Sequence, residues 1–350
     1  MTNNGSAVDT PVSNGYASSL GALIMALVFL LGVPGNLFIV WSILARTRQR
    51  SVTTILILNL ACADGCLMAL TVFFIIYLSK QTWVFGLPMC KALFYLCNAN
   101  MYASIFLITL MSANRMVAVV FPAKVFSWAS KTIVKREIAV MWLLVMVISL
   151  PPLVFRDTIL VEDKALNMTK LVCAPNHTLP RYLRLQYSME TVVGLILPYA
   201  VIITSYVLIL RRMRQSKFSR KVRSEKLILA IVVMFGIFWL PYHVVNMMQV
   251  VAQWYEEGSS QRKELDYLSQ AFRAVTSAFA FTSSCANPIL YTFAAKSYIK
   301  KNGLAFMAKL FEATLDQTVN KKNRLAAKDS PFTADSVSTG PLSGQNGRGT

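Results

Sequence analysis

The sequence predicts an all-α integral membrane protein, a bundle of seven transmembrane helices with its N-terminus outside the cell. Of the 350 residues, 55% are hydrophobic and only 15% are charged, whereas about 25% are charged in soluble domains. Seven segments are long and apolar enough to cross a bilayer, which takes about 20 residues. A soluble helical core is disfavoured because its helices would keep a polar face. The predicted spans are residues 16–45, 52–79, 92–113, 138–155, 185–210, 227–255 and 267–295.

The positions of the basic residues predict the orientation. The net charge is +19, which in a soluble protein would suggest a nucleic-acid partner. Here the basic residues lie between apolar segments, and one side of the bundle carries 25 basic and six acidic residues. Because Lys and Arg accumulate in cytoplasmic loops, that side is cytoplasmic and no nucleic-acid partner is expected. The predicted organisation is an extracellular tail (1–15), the bundle (16–295), an amphipathic membrane-surface helix (296–313) and a disordered cytoplasmic tail (314–350).

Sequons and cysteines agree with this orientation. The three glycosylation sequons, at Asn4, Asn167 and Asn176, all fall on the predicted outer side, where glycans are added. Cys90 and Cys173 are the only two of the six cysteines in outer connections, so we expect a disulfide between them.

Polar residues within the spans predict an internal network. Asp64 lies in the middle of the second span, where a charged group costs about 2.5–3.5 kcal/mol. Two interpretations stay open: a hydrogen-bonded packing network, or a sodium site in which oxygens surround a hard cation. The residues that supply polar partners for Asp64 in either case are Asn36, Asn100, Ser104, Ser283 and Asn287.

Prolines within the last three spans predict hinges. Pro198, Pro241 and Pro288 each remove a backbone hydrogen bond and favour a kink. Trp239 is two residues before Pro241, where its ring either fills the core or rotates as a switch.

Together these motifs resemble those of the rhodopsin-like G-protein-coupled receptors. The resemblance implies a multi-pass plasma-membrane receptor without enzymatic activity, partnered by a heterotrimeric G protein. It also implies that Arg115 faces a cytoplasmic cleft, that Tyr206 and Tyr291 swing toward it on activation, and that Asp64 belongs to a sodium network. The matching residues are Gly35-Asn36, Leu60 to Asp64, Trp83 before Cys90, Arg115, Trp142, Pro198, Phe238 to Pro241, and Asn287 to Tyr291.

The chain departs from that family pattern around Arg115. Asn114 stands where the family has an acidic residue, and Met116 stands where it has an aromatic one. Without the adjacent carboxylate, Arg115 loses a charge restraint of the resting state, so we expect a raised basal activity or a different inactive lock.

Longer strings are similar to the leukotriene B4 receptors of the chemoattractant branch. This closer resemblance implies leukotriene B4 or a related hydroxy fatty acid as ligand, with signalling through inhibitory G proteins in chemotaxis and inflammation. The strings are Val40 to Leu44, Arg50 to Thr53, Met101 to Ser104, Leu240 to Asn246, Ser283-Ser284 and Phe306 to Leu310.

The outer halves of the spans favour an acidic lipid as ligand. The third span has no acid to hold an amine, and Phe281 stands where an opsin would need its lysine. Arginine binds a carboxylate through two parallel bonds, and Glu190 suits a ligand hydroxyl. The resemblance points to Tyr102, Arg156, Glu190 and Arg273 as pocket positions. Two further candidate ligand positions are Phe94, which is apolar where a polar neighbour would help the ligand, and His243, for which a polar contact within its helix is favoured over a pH sensor.

The cytoplasmic segments predict membrane and arrestin contacts. The basic third inner loop suits both a G protein and anionic membrane lipids. The tail after 314 is rich in Ser and Thr, and its phosphorylation would recruit arrestin.

Two alternatives to this function remain. One is a chemoattractant receptor for another lipid acid or for a short peptide with a free carboxylate. The remoter one is a seven-span transporter, which would need a continuous polar path through the bundle. An intramembrane enzyme would need paired acids or clustered histidines in the spans, and no cofactor other than an allosteric sodium ion is expected.

Overall fold

The computed structural model describes residues 15–46, 51–121, 131–163, 168–215 and 223–294. Within these ranges the α-helices, in chain order, are α1 (Gly15–Trp41), α2 (Val52–Lys80), α3 (Gly86–Val120), α4 (Lys131–Ile148), α5 (Pro151–Phe155), α6 (Pro180–Thr191), α7 (Leu197–Gln215), α8 (Arg223–Ala252) and α9 (Ser260–Ala294). Two strands, β1 (Arg156–Asp163) and β2 (Met168–Pro175), form an antiparallel hairpin between α5 and α6.

Seven helical spans form the bundle in the predicted order. Six helical stretches of the described chain are long and apolar enough to cross a membrane: Ser18–Ala45, Val52–Lys80, Gly86–Val120, Thr132–Phe155, Pro180–Arg214 and Ile228–Ala252. The more polar α9 is the seventh helix, and it packs along α8 and α1.

Local chemistry explains where several helices begin and end. The Ser51 hydroxyl caps α2 by accepting the Thr54 backbone N–H at 3.1 Å. Gln81 ends the same helix in the left-handed conformation, with φ of 54°. In the fourth span, the helix breaks after Ile148 and restarts with Pro151 in the first turn of α5, where a missing N–H costs nothing.

The predicted hinge at Pro198 takes the form of a π-helical turn. The turn Val192–Ile196 joins α6 to α7 immediately before this proline. Because Pro198 has no N–H for the preceding turn, the wider turn accommodates the break without ending the span. Pro241 and Pro288 lie within α8 and α9.

Apolar side chains cover both the inside and the outside of the bundle. Leu56, Leu60 and Ile105 are fully buried in the core, whereas Leu143 and Val154 are 69% and 66% exposed on the outer surface. Helices that are apolar all round need lipid rather than water on their outer face.

Several predicted features lie outside the described residues. They are the N-terminal tail with Asn4, the sequon at Asn167, the membrane-surface helix over 296–313 and the cytoplasmic tail over 314–350. The hairpin is an addition to the predicted helices, and it caps the outer end of the bundle through backbone contacts such as Trp83 N–H to the Leu171 carbonyl at 2.7 Å.

Candidate ligand-binding site

A buried carboxylate lies at the centre of a polar cluster in the outer half of the bundle. Glu190 is on α6, directly before the π-helical turn, and only 1% of it is exposed. Its Oε1 accepts from the amides of Gln186 (2.8 Å) and Asn98 (3.4 Å). Its Oε2 accepts from the Tyr242 hydroxyl and the Asn246 amide, both at 3.1 Å. Protein donors therefore occupy all four acceptor positions of the carboxylate, which offsets the cost of its burial.

Arg273, on α9, reaches the same cluster from the opposite side. Its guanidinium donates to Asn246 Oδ1 at 2.5 Å and to Gln249 Oε1 at 2.6 Å. It also lies 4.9 Å from the centre of the Tyr187 ring. The amide of Asn246 therefore separates Arg273 from Glu190, since its oxygen faces the cation and its N–H faces the acid.

Arg156, the first residue of β1, forms a second cationic position. Its guanidinium carbon lies 3.5 Å from the centre of the Phe94 ring and its Nη1 donates to the Cys173 carbonyl at 3.4 Å. Phe94 thus provides a flat face for the cation, where sequence reasoning noted only a missing polar neighbour.

Neither guanidinium is neutralised by a carboxylate in the described part of the chain. The ion pair of Arg262 with Asp266, both on α9 and 3.1 Å apart, involves neither Arg156 nor Arg273. Burial lowers the pKa of Arg156 from its ordinary value, and the charge of Arg273 lowers it further. An anion between the two arginines would offset both effects.

Two polar groups below this cluster have no hydrogen-bond partner among the described residues. They are the Tyr102 hydroxyl and Nε2 of His243, and both side chains are fully buried. The other ring nitrogen of His243 hydrogen-bonds the Thr191 hydroxyl at 3.3 Å. Both rings flank Gly194 of the π-helical turn, where an added Cβ would lie 3.4 Å from each. Buried polar atoms of this kind are usually satisfied by a ligand or an ordered water.

Most of the residues proposed for a sodium network meet around Asp64. Its Oδ1 accepts from Asn100 (3.2 Å) and Ser104 (3.4 Å), and its Oδ2 accepts from Asn287 (2.7 Å). Asn36, on α1, instead donates to the backbone carbonyls of Gly32 and Ser284.

Ser283 faces a different partner from the rest of that proposed set. Its hydroxyl accepts the Trp239 indole N–H at 3.0 Å and donates to the Ala280 carbonyl at 2.7 Å. Trp239 also stacks on Phe235, with ring centres 5.6 Å apart. Pro241 follows two residues later within α8, so the indole is anchored to α9 beside the proline.

The donor set around Asp64 is compatible with a hard cation. The carboxylate, the Ser104 hydroxyl and the Asn100 amide oxygen are the oxygen ligands that sodium would use, provided that the amide N–H groups turn away. Among the described residues, no cluster of three His, Cys, Asp or Glu side chains suggests a transition-metal site.

The remaining predicted switches lie toward the cytoplasmic end. Arg115 is half-buried near the end of α3, and the neighbouring Asn114 amide donates to the Leu110 carbonyl at 2.9 Å. Tyr206, on α7, packs against the central core. Tyr291 belongs to α9, but its side chain is outside the described residues.

The extracellular predictions can be located directly. Cys90 of α3 and Cys173 of β2 form the predicted disulfide. Asn176 is exposed just after β2, and its side-chain amide donates to Asp157 at 3.3 Å.

Sequence reasoning missed the polar residues that surround Glu190 and Arg273. The spacing within single helices indicates part of this cluster. Gln186 and Glu190 are four residues apart, as are Tyr242 and Asn246, and residues four apart share one face of a helix. Which faces of α3, α6, α8 and α9 meet cannot be inferred from the spacing within one helix. The residues missed are Asn98, Gln186, Thr191, Tyr242, Asn246 and Gln249.

Comparison with known proteins gives the same architecture. Residues 35–291 match the family model described as 7 transmembrane receptor (rhodopsin family). The chain is 35% identical to leukotriene B4 receptor 1 of Homo sapiens, over 90% of this chain and 88% of that protein. It is 34% identical to leukotriene B4 receptor 2 of Homo sapiens and 36% identical to leukotriene B4 receptor 2 of Rattus norvegicus, in both cases over 87% of this chain and 84% of the relative.

A membrane bundle of seven helices, with a polar cluster beneath a disulfide-tethered extracellular hairpin, defines a transmembrane receptor. The chain belongs to the rhodopsin family of seven-transmembrane receptors, and its relatives include the leukotriene B4 receptors. It is therefore a multi-pass plasma-membrane protein and not an enzyme. The predicted fold class, family, disulfide and localisation are confirmed.

Proposed function

We propose that the chain is a receptor for leukotriene B4 or a closely related hydroxy fatty acid. Binding would activate a heterotrimeric G protein, of the inhibitory class, in chemotaxis and inflammation. The observation that carries the proposal is the pair of guanidinium groups, Arg156 and Arg273, which have no carboxylate partner in the described chain. The relatives that are leukotriene B4 receptors by name support the same ligand class.

The two arginines suit the carboxylate of such a ligand. Arginine N–H groups and a carboxylate form charge-assisted bonds that are about twice as strong as neutral hydrogen bonds. Arg156 is oriented by Phe94, and Arg273 by Asn246 and Gln249, so little side-chain freedom is lost on binding.

The polar middle of the pocket suits the ligand hydroxyls. Glu190 would accept a ligand hydroxyl in place of its longest hydrogen bond, the one from Asn98 at 3.4 Å. The Tyr102 hydroxyl and His243 Nε2 offer a donor and an acceptor to a second hydroxyl deeper in the bundle. The polyene would lie against aromatic side chains such as Phe74, which packs edge-to-face on Phe94.

The signalling step uses the hinges of α8 and α9. Ligand contacts near Trp239 would shift α8 about Pro241 and open the cytoplasmic end around Arg115 to the G protein. Tyr206 and Tyr291 would move toward the same cleft. Contact of arrestin with the phosphorylated tail, and of membrane lipids with the basic inner loops, are further parts of the proposal.

The Asp64 cluster would act as an allosteric sodium site within this mechanism. Asp64, Ser104 and the oxygen of Asn100 would hold the ion, while Asn287 links the cluster to α9 and Ser283 of the same helix holds Trp239. The bound cation would neutralise the buried carboxylate and favour the resting packing of the helices.

Saturation binding of radiolabelled leukotriene B4 to membranes from cells expressing the chain tests the proposal. We expect Arg273→Ala to weaken binding about 10- to 100-fold, since a hydrogen bond to a charged group contributes about 1.5–3 kcal/mol. Glu190→Gln, which keeps the shape and removes the charge, should weaken it about 3- to 10-fold.

Arg262→Ala is the matched control for this experiment. Arg262 is also on α9, but it pairs with Asp266 outside the cluster, so its removal should leave the affinity unchanged. Wild-type affinity in Arg273→Ala would rule out the arginine anchor. A surface-expressed receptor without saturable binding would refute the ligand assignment and favour another lipid acid or a peptide with a free carboxylate.

A further inference from the structure

His177 connects the extracellular surface to the buried Glu190 through a single glutamine. It follows β2, is half-buried, and its ring lies 5.0 Å from that of Phe155 and 5.6 Å from that of Tyr187. Nε2 of His177 is 2.9 Å from Gln186 Oε1, and Gln186 Nε2 is 2.8 Å from Glu190 Oε1. Two short hydrogen bonds thus lead from an accessible imidazole to the centre of the ligand cluster.

The direction of these bonds fixes where an additional proton would go. Because the Gln186 amide nitrogen donates to Glu190, its oxygen must accept a hydrogen bond from His177. Nε2 of His177 therefore already carries a hydrogen in the neutral ring. Protonation from solvent would place the second hydrogen on Nδ1 and make the ring a cation.

Charged groups on three elements surround this imidazole. Arg156 of β1 and Arg273 of α9 oppose a positive charge on it, whereas Glu190 of α6 favours one. Asp157 of β1 accepts a hydrogen bond from Asn176, the residue before His177. Burial lowers the pKa of His177 from its ordinary value, the bond to Gln186 raises it, and the arginine charges lower it further.

We propose that His177 is a proton-binding site coupled to the carboxylate site, so that the receptor binds an anionic ligand more tightly as the extracellular pH falls. This inference rests on the proposed function, because it takes an anion to bind at Arg156 and Arg273. A bound carboxylate neutralises part of the arginine charge that opposes protonation of His177. Protonation is therefore easier in the complex than in the empty receptor, and each state stabilises the other.

The sign and range of the effect follow from linkage. The pKa of His177 is higher in the complex than in the empty receptor, so binding takes up a proton. Affinity then increases as the pH falls below the pKa that His177 has in the complex. It becomes constant once the pH is well below the pKa that His177 has in the empty receptor. Because the ordinary His pKa is about 6.5 and burial lowers that of His177 in the empty receptor, the increase in affinity should occur on the acidic side of neutrality.

Saturation binding of radiolabelled leukotriene B4 at about pH 7.4 and about pH 6.0 tests the coupling, since a carboxylic acid with a pKa of about 4–5 stays ionised at both. We expect affinity about threefold higher at the lower pH, since a pKa difference of about one unit gives at most tenfold, and only well below both pKa values. His177→Gln keeps a donor for Gln186 and preserves the sequon at Asn176, and it should abolish the pH dependence. The methyl ester of leukotriene B4, which has no charge, should show none in the wild type.

The sequence offers a clean control because it contains only two histidines. His243→Gln removes the other one, and the ratio of its affinities at the two pH values should equal that of the wild type, whatever its absolute affinity. An unchanged pH ratio in His177→Gln, or a wild type with no pH dependence, would overturn the coupling while leaving the ligand assignment intact. Absence of saturable binding at the higher pH would instead overturn the proposed function, and the coupling with it.

Discussion

The amide of Asn246 prevents the two opposite charges of the ligand cluster from neutralising each other. A direct pair of Glu190 and Arg273 would satisfy both groups and leave neither for a ligand. With Asn246 between them, Glu190 is satisfied by neutral donors and Arg273 by neutral acceptors. Arg273 therefore keeps its full positive charge, and a ligand carboxylate does not have to break a buried ion pair to reach it.

The carboxylate of Asp64 should make the agonist affinity of the receptor sensitive to sodium. In the wild type, replacing sodium by choline in the buffer should raise agonist affinity, because the resting state loses its cation. Asp64→Asn keeps the size of the side chain and removes the charge that holds the ion, so this sensitivity should disappear. Agonist competition binding in the two buffers measures it.

Two results would contradict the sodium proposal. One is a wild type that does not respond to sodium, and the other is Asp64→Asn with a wild-type response. Thr71→Val is the control: it removes a buried hydroxyl on the same helix that donates to the Met68 carbonyl of that helix, so it should keep the wild-type sodium response.

At the scale of elements, one glycine allows α7 and α8 to approach each other. The Tyr199 hydroxyl of α7 donates to the Val232 carbonyl of α8 at 2.7 Å. It occupies the space beside Gly236, where an added Cβ would lie only 2.6 Å from the hydroxyl oxygen. The contact joins the helix of Pro198 to the helix of Pro241, so it links two of the predicted hinges.

Gly236→Ala should therefore destabilise the receptor by about 1–3 kcal/mol, the usual cost of overpacking. Tyr199→Phe in the same chain removes the clashing oxygen, so the double variant should have a higher Tm than Gly236→Ala alone. Thermal unfolding of the purified receptor in detergent measures both. Gly65→Ala is the control, since its Cβ would make an ordinary 3.5 Å contact with Asn36. Strictly additive effects of the two substitutions would contradict the predicted clash.

Element type was predictable from the sequence, whereas the contacts between elements were only partly so. Apolar length and the basic connections suffice for the seven spans. Of the three predicted hinges, Pro198 coincides with a π-helical turn, whereas Pro241 and Pro288 lie within uninterrupted helices. The hairpin was not predicted because two short strands leave a weak sequence pattern. Its position depends on the disulfide of Cys173 with α3 and on the bond of Leu171 with Trp83, between α2 and α3.

The whole molecule has three polar levels along one axis. Arg156 begins the extracellular hairpin and lies near Arg273 and Glu190 in the outer half of the bundle, Asp64 lies in the middle, and Arg115 lies near the cytoplasmic end of α3. Trp239 stands between the first two levels and is hydrogen-bonded to α9. A ligand that moves α8 against α9 would therefore disturb the packing around both lower levels.

For the candidate site, the sequence predicted individual charged residues but not the cluster that they form with their neighbours. Arg156, Glu190 and Arg273 stand out because charges are rare in the outer halves of the spans. Asn98, Gln186 and Asn246 are ordinary polar residues until the assembled bundle brings them to one carboxylate. Phe94 likewise acquires a role only when Arg156 stacks on it.

We propose that this receptor recognises a lipid carboxylate through its two arginines, and a comparison of leukotriene B4 with its uncharged methyl ester tests this recognition directly. Ligand-driven nucleotide exchange by an inhibitory-class G protein should respond to the acid and saturate. The ester should be at least about tenfold less potent, because it lacks the charge-assisted bonds to Arg156 and Arg273. Equal potency of the acid and the ester would contradict the claim.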